Sequence, residues 1–220
     1  MPTSDVLVYT RTAGYRHDSI PAGAEAFVEM SREGGLAAKP TDDPGVFTED
    51  RLERCAAVVL LSTTGSVLTD PGRAALEAYV RRGGGLLAVH AAANAEPDWP
   101  FYGDLLGTRF AGHPPLQPGL VRVEDTTHPA TAHLPAEWAW TDEWYDFTSP
   151  PRDADVHVLL RADESTYTGG THGADHPLSW WHEKAGGRFF FTALGHTSES
   201  YAAPAFRAHL SGALRWAAGR

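Results

Sequence analysis

Four short stretches of the chain are apolar almost without a break: DVLVYT (Asp5 to Thr10), AAVVLLS (Ala56 to Ser62), GLLAVH (Gly85 to His90) and RFFFTAL (Arg188 to Leu194). A strand with one face in water alternates polar and apolar residues. Unbroken runs therefore predict strands buried on both faces, as in the middle of a parallel sheet. Between these runs the apolar positions recur at helical spacing. Ser19, Ile20 and Pro21 open a segment in which Ala24, Phe27 and Val28 share a face, and Gly34-Gly35 stop it. Asp70 is the expected N-cap of a second helix, with Pro71 at its first position, Leu76, Tyr79 and Val80 on its apolar face, and Gly83-Gly84-Gly85 at its end. After Pro204, the residues Phe206, Leu210, Leu214 and Ala217 repeat at helical spacing. Strands alternating with helices predict an α/β fold on a doubly wound, mostly parallel sheet.

From about residue 107 to residue 182 that rhythm breaks. The segment holds five of the seven tryptophans and seven of the eleven histidines, with strand candidates such as LVRVED and VHVLLRA and no clear helix. It reads as an irregular, β-rich insert laid over the sheet. No repeat, low-complexity tract or linker separates it, so residues 1–220 are expected to form one domain.

Charge and composition narrow the partners. With 28 acidic against 18 basic residues, the formal charge of −10 makes nucleic acid and anionic membrane surfaces repulsive partners. No run approaches the roughly 20 apolar residues that span a bilayer, and the start MPTSDVLVYT lacks a basic region followed by an apolar stretch. A cytoplasmic protein is the expectation. The single cysteine, Cys55, precludes an internal disulfide and reads as an inert core thiol before a buried strand.

In open α/β sheets the ligand site lies beyond the carboxyl ends of the strands, where the following loops converge. Those loops carry the chemistry: RTAGYRHDSI with His17, STTGSVLT, HAAAN with His90 and Asn94, and GHTSESY with His196. A lone histidine at a strand end is commonly a hydrogen-bonded packing residue; three on one edge of one sheet point to a site. A strand, sharp turn and helix would present Ser or Cys at a nucleophile elbow, but the apex here is His90. The glycines at 83 to 85 precede their strand, which rules out a dinucleotide fingerprint, and there is no phosphate-binding P-loop. His17, His90, His113, Glu143 and His196 offer N and O ligands for zinc or a similar divalent ion, although their spacing singles out no metal. In TDEWYDF, the acids Asp142, Glu143 and Asp146 flank Trp144 and Tyr145, a setting either for acid–base work beside a sugar-stacking ring or for an edge strand with solvated carboxylates. His-Pro pairs at His113, His128 and His176 fix the backbone before each proline.

Taken in order, YRHDSI, VVLLSTTG, GGGLLAVHAAAN, DWPFYGDLLGTRFAGHP, THPAT, TDEWYDF and DHPLSWWHEKAGGRFFFTALGHTSESY resemble the ThuA family of trehalose-utilisation proteins over essentially the whole chain. The resemblance implies a flavodoxin-like fold of the class I glutamine amidotransferase superfamily without its nucleophilic cysteine, with His90 near the vacated position. It also implies a role in sugar catabolism beside a sugar oxidoreductase that makes 3-keto sugars. His17, His90, His113, Asp142, Glu143, Tyr145, His176 and His196 match family motif positions.

The leading expectation is an enzyme acting on a keto sugar or keto-glycoside. His90, Glu143, His17 and His196 would do the acid–base work, with His113, Asp142, Tyr145, Trp144, His176 and Asn94 around the substrate. Cleavage by elimination and hydration, or isomerisation, would follow, with a divalent ion as an optional aid. The rival is a non-catalytic sugar-binding or partner module on an amidotransferase-like scaffold. A third option is a hydrolase using Ser62 or Ser66. Exposed aromatics in the middle segment suit a homo-oligomer interface as well as a sugar platform.

Overall fold

The computed structural model describes residues 5–220. In chain order the main elements are β1 (Asp5–Tyr9), α1 (Ile20–Glu33), β2 (Ala37–Thr41), α2 (Glu49–Leu52), β3 (Cys55–Leu61), α3 (Asp70–Arg81), β4 (Gly85–Val89) and α4 (Pro100–Leu106). They continue with β5 (Phe110–Gly112), β6 (Gln117–Val123), β7 (Glu137–Asp142), β8 (Asp146–Phe147), β9 (His157–Asp163), β10 (His176–His182), β11 (Phe189–Thr192) and α5 (Pro204–Ala217). The four apolar runs are β1, β3, β4 and β11, and every residue of β3, β4 and β11 is buried.

This is a mixed α/β protein around one nine-stranded sheet in the order β2-β1-β3-β4-β11-β10-β9-β6-β7. From β2 to β11 neighbouring strands are parallel; from β11 to β7 each pair is antiparallel. The stretch expected to lie over the sheet instead extends it edge to edge. β11 offers its second edge to β10, and backbone pairing there satisfies groups that a covering layer would leave unpaired. Among the described residues only β5 and β8 form a separate two-stranded pair.

Local signals shifted by a residue or a face in two helices. Thr69, not Asp70, caps α3, its side chain accepting the Gly72 N–H, and Asp70 becomes the first helical residue. In α1 the buried face is Ile20, Gly23, Ala26, Phe27 and Met30, while Val28 is exposed. Gly23 belongs to this face because the Tyr201 ring lies where a Cβ would be, 2.9 Å away. α1 and α5 contact each other; α1 packs on β1 and β3, and α5 on β3, β4 and β11.

Gly85 starts β4 against the end of α5, and a Cβ there would overlap the Ala217 carbonyl. Backbone cannot rotate away as a side chain can, so Gly85→Ala is expected to cost about 3 kcal/mol, a fall in Tm of roughly 10 °C for a chain of this size. A thermal melt within about 2 °C of wild type would contradict the close approach.

Buried histidines set the acid response. Burial pushes His17, His128 and His209 down to about 4. Between about pH 6.5 and pH 4 the unfolded chain takes up protons that the folded chain refuses, so stability falls as pH drops through that window. Buried Asp142, pushed up to about 6, and His196, raised by Glu143, work with the opposite sign, but His90, His172 and His182 are lowered by burial as well, so the lowered histidines outnumber them. The urea midpoint at pH 4.5 is therefore expected well below that at pH 7; equal midpoints would contradict the burial of these rings.

Candidate active site

The parallel half of the sheet places the loops after β1, β3, β4 and β11 at one end. His17 arrives from the first, His90 directly follows β4, and His196 follows β11. Their ring centroids lie 4.7 Å (His17 to His90), 5.2 Å (His17 to His196) and 5.4 Å (His90 to His196) apart. Two non-glycine residues at adjacent strand ends, Ser62 (φ 47°) and His90 (φ 53°), adopt the left-handed backbone region. Such strain persists only where the surroundings enforce it, and here it turns the His90 ring back into the cluster.

His90 is fully buried and its tautomer is fixed. Nδ1 lies 2.6 Å from the Ala193 carbonyl, so it must donate; Nε2 is then the acceptor of the Tyr145 hydroxyl at 2.9 Å. Burial and the neighbouring His17 hold its pKa well below the ordinary value, leaving a neutral ring with one lone pair facing the site. Tyr145 stacks on that ring at 4.4 Å, and burial, with the Glu143 charge next, pushes its phenol well up. Tyr145 is therefore a proton donor.

Glu143 is the carboxylate in this group. Its Oε2 is 3.1 Å from His196 Nδ1 and 3.6 Å from His90 Nε2, and its Oε1 is 3.6 Å from His113 Nδ1. Burial alone would raise it, but His196, His113 and His17 outweigh burial and bring it below its ordinary value. The same contact raises His196, although its Nδ1 is not aligned for a good hydrogen bond.

Asp142, one residue earlier, is fully buried and faces four donors: Gly195 N–H (2.8 Å) and Trp140 Nε1–H (2.9 Å) on Oδ2, and Glu143 N–H (2.9 Å) and His196 N–H (3.2 Å) on Oδ1. Its acceptors are occupied by the protein, so it orients Glu143 and His196 and offers substrate nothing. Trp144 is likewise fully buried, stacked on Tyr167, and presents no face to a sugar. His176 lies behind Tyr145, its Nε2 donating to the Tyr145 carbonyl at 2.8 Å and its Nδ1 against Glu164 at 2.7 Å. Asn94 is exposed at the end of the His90–Asn94 turn. His113 is one-third exposed and stacks on Tyr145 at 5.6 Å. Ser62 is buried and Ser66 exposed, and no histidine bonds either. Cys55, at the start of β3, sits at the opposite end of the sheet.

His17, His90, Glu143 and His196 each bring a ligand atom within 4.8 Å of the others, and His17 Nδ1 and His196 Nδ1 are buried with no hydrogen-bond partner. Three imidazoles and a carboxylate could hold a divalent ion. His90 has one lone pair on Nε2, so it serves either Tyr145 or an ion. A second group, Asp146, His172 and His176, is equally close. There His172 Nε2 already accepts the Phe147 N–H, and Asp146 Oδ1 the Thr171 N–H. That group is a hydrogen-bonded clamp on the segment carrying Glu143 and Tyr145. Glu164, which receives the His172 and Gly173 N–H groups in this clamp, carried no signal in the sequence beyond its charge.

The profile of the ThuA family, described as trehalose utilisation, matches residues 5–217. The chain belongs to the ThuA family. Among solved structures, this ThuA-family chain is similar to a ThuA-like protein from Bacteroides uniformis, with TM-score 0.81, 27% identity, and 98% of this chain and 91% of that one covered. A ThuA-like protein from Parabacteroides merdae gives TM-score 0.78 at 19% identity, covering 99% and 90%. A Salmonella typhimurium protein described as cytoplasmic gives TM-score 0.63 at 13% identity, covering 97% and 98%, a likeness of fold alone. No curated protein matches the chain. No helix among the described residues is long and apolar enough to cross a membrane.

Proposed function

We propose that this ThuA-family protein is an enzyme of sugar catabolism acting on a keto sugar or keto-glycoside. The observation that carries the reading is a single carboxylate, Glu143, ringed by His90, His113 and His196 at the carboxyl end of a parallel sheet. A ketone acidifies its neighbouring C–H. Glu143 takes that proton, and the electron pair moves toward the carbonyl carbon. His196, whose pKa is raised by its contact with Glu143, or the Tyr145 hydroxyl returns a proton, either to the departing glycosidic oxygen or to carbon. The first outcome is elimination, with water then adding to the unsaturated ketone; the second is isomerisation. If a divalent ion were held by His17, His196 and Glu143, with His90 as the fourth candidate ligand, it would polarise the ketone oxygen, and these side chains would then serve as ligands in place of base and acid.

The parallel strand order β2-β1-β3-β4-β11 supports a flavodoxin-like, amidotransferase-like scaffold, with His90 at the elbow in place of a nucleophile. One sheet running through both halves of the chain supports one domain, and the 107–182 segment is the added antiparallel half. Glutamine amidotransfer is outside this reading. The partners that fit are a small carbohydrate and a sugar oxidoreductase that forms the ketone, in the cytoplasm; the aromatic side chains of the middle segment, expected to be exposed, are buried or half-buried, so they offer no exposed aromatic face for self-association.

The test is an NMR time course with 3-keto-trehalose and 3-keto-glucosides, with and without chelator. New olefinic or epimeric signals are the expected result, and loss of them on chelation assigns the ion a role. Binding without conversion would replace this reading with a sugar-recognition module.

A further inference from the structure

Tyr15 takes no part in the chemistry above, yet it is the most exposed large apolar side chain among the described residues, at 67%. Its ring stands edge-on to His17, with centroids 4.8 Å apart and planes at 88°, so it borders the histidine cluster. It is close enough to Tyr145 for its phenol to influence that group's ionisation. The backbone beneath it is held firmly. Ala13 and Gly14 N–H both reach the Thr64 carbonyl, at 2.7 and 3.3 Å, and Thr64 Oγ1 donates to the Tyr15 carbonyl at 2.8 Å. A parallel bridge from Thr12 to Thr64 adds to this tether.

A tyrosine has only two side-chain torsions to fix when a flat ligand covers its ring, and the tethered backbone beneath Tyr15 adds no further ordering cost. The other exposed ring at the cluster is His113, in contact with Glu143. Glu143 is only 13% exposed, so a reacting ring that reaches it leaves the rest of a larger substrate at the rim. Tyr15 lies at that rim, next to His17.

We propose that Tyr15 is the platform for the second ring of a glycoside: the keto-bearing ring sits over Glu143 and His196, and the ring that leaves with the glycosidic oxygen stacks on Tyr15. This rests on the proposed function and adds a substrate class to it, two-ring keto-glycosides over single sugars. Stacking is a contact made by the ring face, so phenylalanine can replace tyrosine and alanine cannot.

The experiment is calorimetric titration of 3-keto-trehalose and of methyl 3-keto-α-glucoside, in a Glu143→Gln background that halts turnover, with Tyr15, Tyr15→Ala and Tyr15→Phe. The expected result is a loss of about ten-fold in affinity for the two-ring probe in Tyr15→Ala, less than two-fold for the one-ring probe, and retention of both affinities in Tyr15→Phe. Equal losses for both probes, or no loss, would overturn the platform and leave the keto-sugar reading intact. Failure of both probes to bind with Tyr15 present, together with no conversion by the wild type, would overturn the keto-sugar reading and the platform with it.

Discussion

Glu143→Gln is expected to lower turnover of a 3-keto-glycoside by about 10²–10⁴-fold, the range for loss of a positioned acid–base group. Glutamine keeps the shape and the buried contacts, so stability should change by less than about 1 kcal/mol. What disappears is the negative charge. His196, raised by its contact with Glu143 at 3.1 Å, should then titrate at a lower pH, readable from its imidazole signals by NMR. The two readouts separate chemistry from folding. Turnover within a few-fold of wild type, with His196 shifted as expected, would remove Glu143 from the reaction and pass the base role to His90.

Asp142→Ala is expected to act on the fold first. The substitution leaves the N–H groups of Gly195, Glu143 and His196 and the indole N–H of Trp140 without their acceptor in a fully buried place. Each buried donor without a partner costs about 1–3 kcal/mol, and local relaxation recovers part of that, so a loss of about 4 kcal/mol is expected in urea unfolding. Asp142→Asn should cost less than alanine, because one oxygen survives as an acceptor while the amide NH₂ faces donors on the other side. The ionised form of Asp142 is itself disfavoured, since burial pushes it up to about 6 despite those four donors. A loss below about 1 kcal/mol in the alanine variant would show that the segment from Gly195 holds its shape without the carboxylate.

How much of this was legible in the sequence differs from element to element. β1, β3, β4 and β11 were legible because burial on both faces leaves no polar alternation to confuse with another pattern. β2, AAKPT, was not: it is a mostly exposed edge strand with a proline, tolerated because one side of the strand needs no ladder bond. α4 escaped notice because PFYGDLL is only two turns long and contains a glycine. The single nine-stranded sheet was out of reach, since nothing local in LVRVED or HPLSWWH says which strand each will pair with. The histidines at the sheet end followed from topology and strand direction alone. Trp144 and His176 look as functional on paper as Tyr145, but Trp144, next to Tyr145 after β7, points to the other side, and His176, at the start of β10, packs behind Tyr145. Only in the folded chain does Tyr145 face His90 while Trp144 faces Tyr167 and His176 faces Glu164. Tyr15 stands in the same loop as His17, but one aromatic in a loop carries no pattern that assigns it a role.

The place of β11 has a consequence for how the protein comes into being during synthesis. Among the described residues this strand, which follows all the others in sequence, is the bridge between β4, which brings His90, and β10, at the inner edge of the antiparallel half. A ribosome that has delivered residues up to about 182 has made both halves of the sheet but not the piece that joins them, and each half then carries an unpaired inner edge. Pairing of that late strand is separated from its parallel partner by a hundred residues, a connection that slows closure and exposes backbone to other nascent chains. His196 comes only after it. The cluster of His17, His90, Glu143 and His196 therefore cannot assemble before β11 has emerged and paired, and a chaperone that shields strand edges would find its target in this interval.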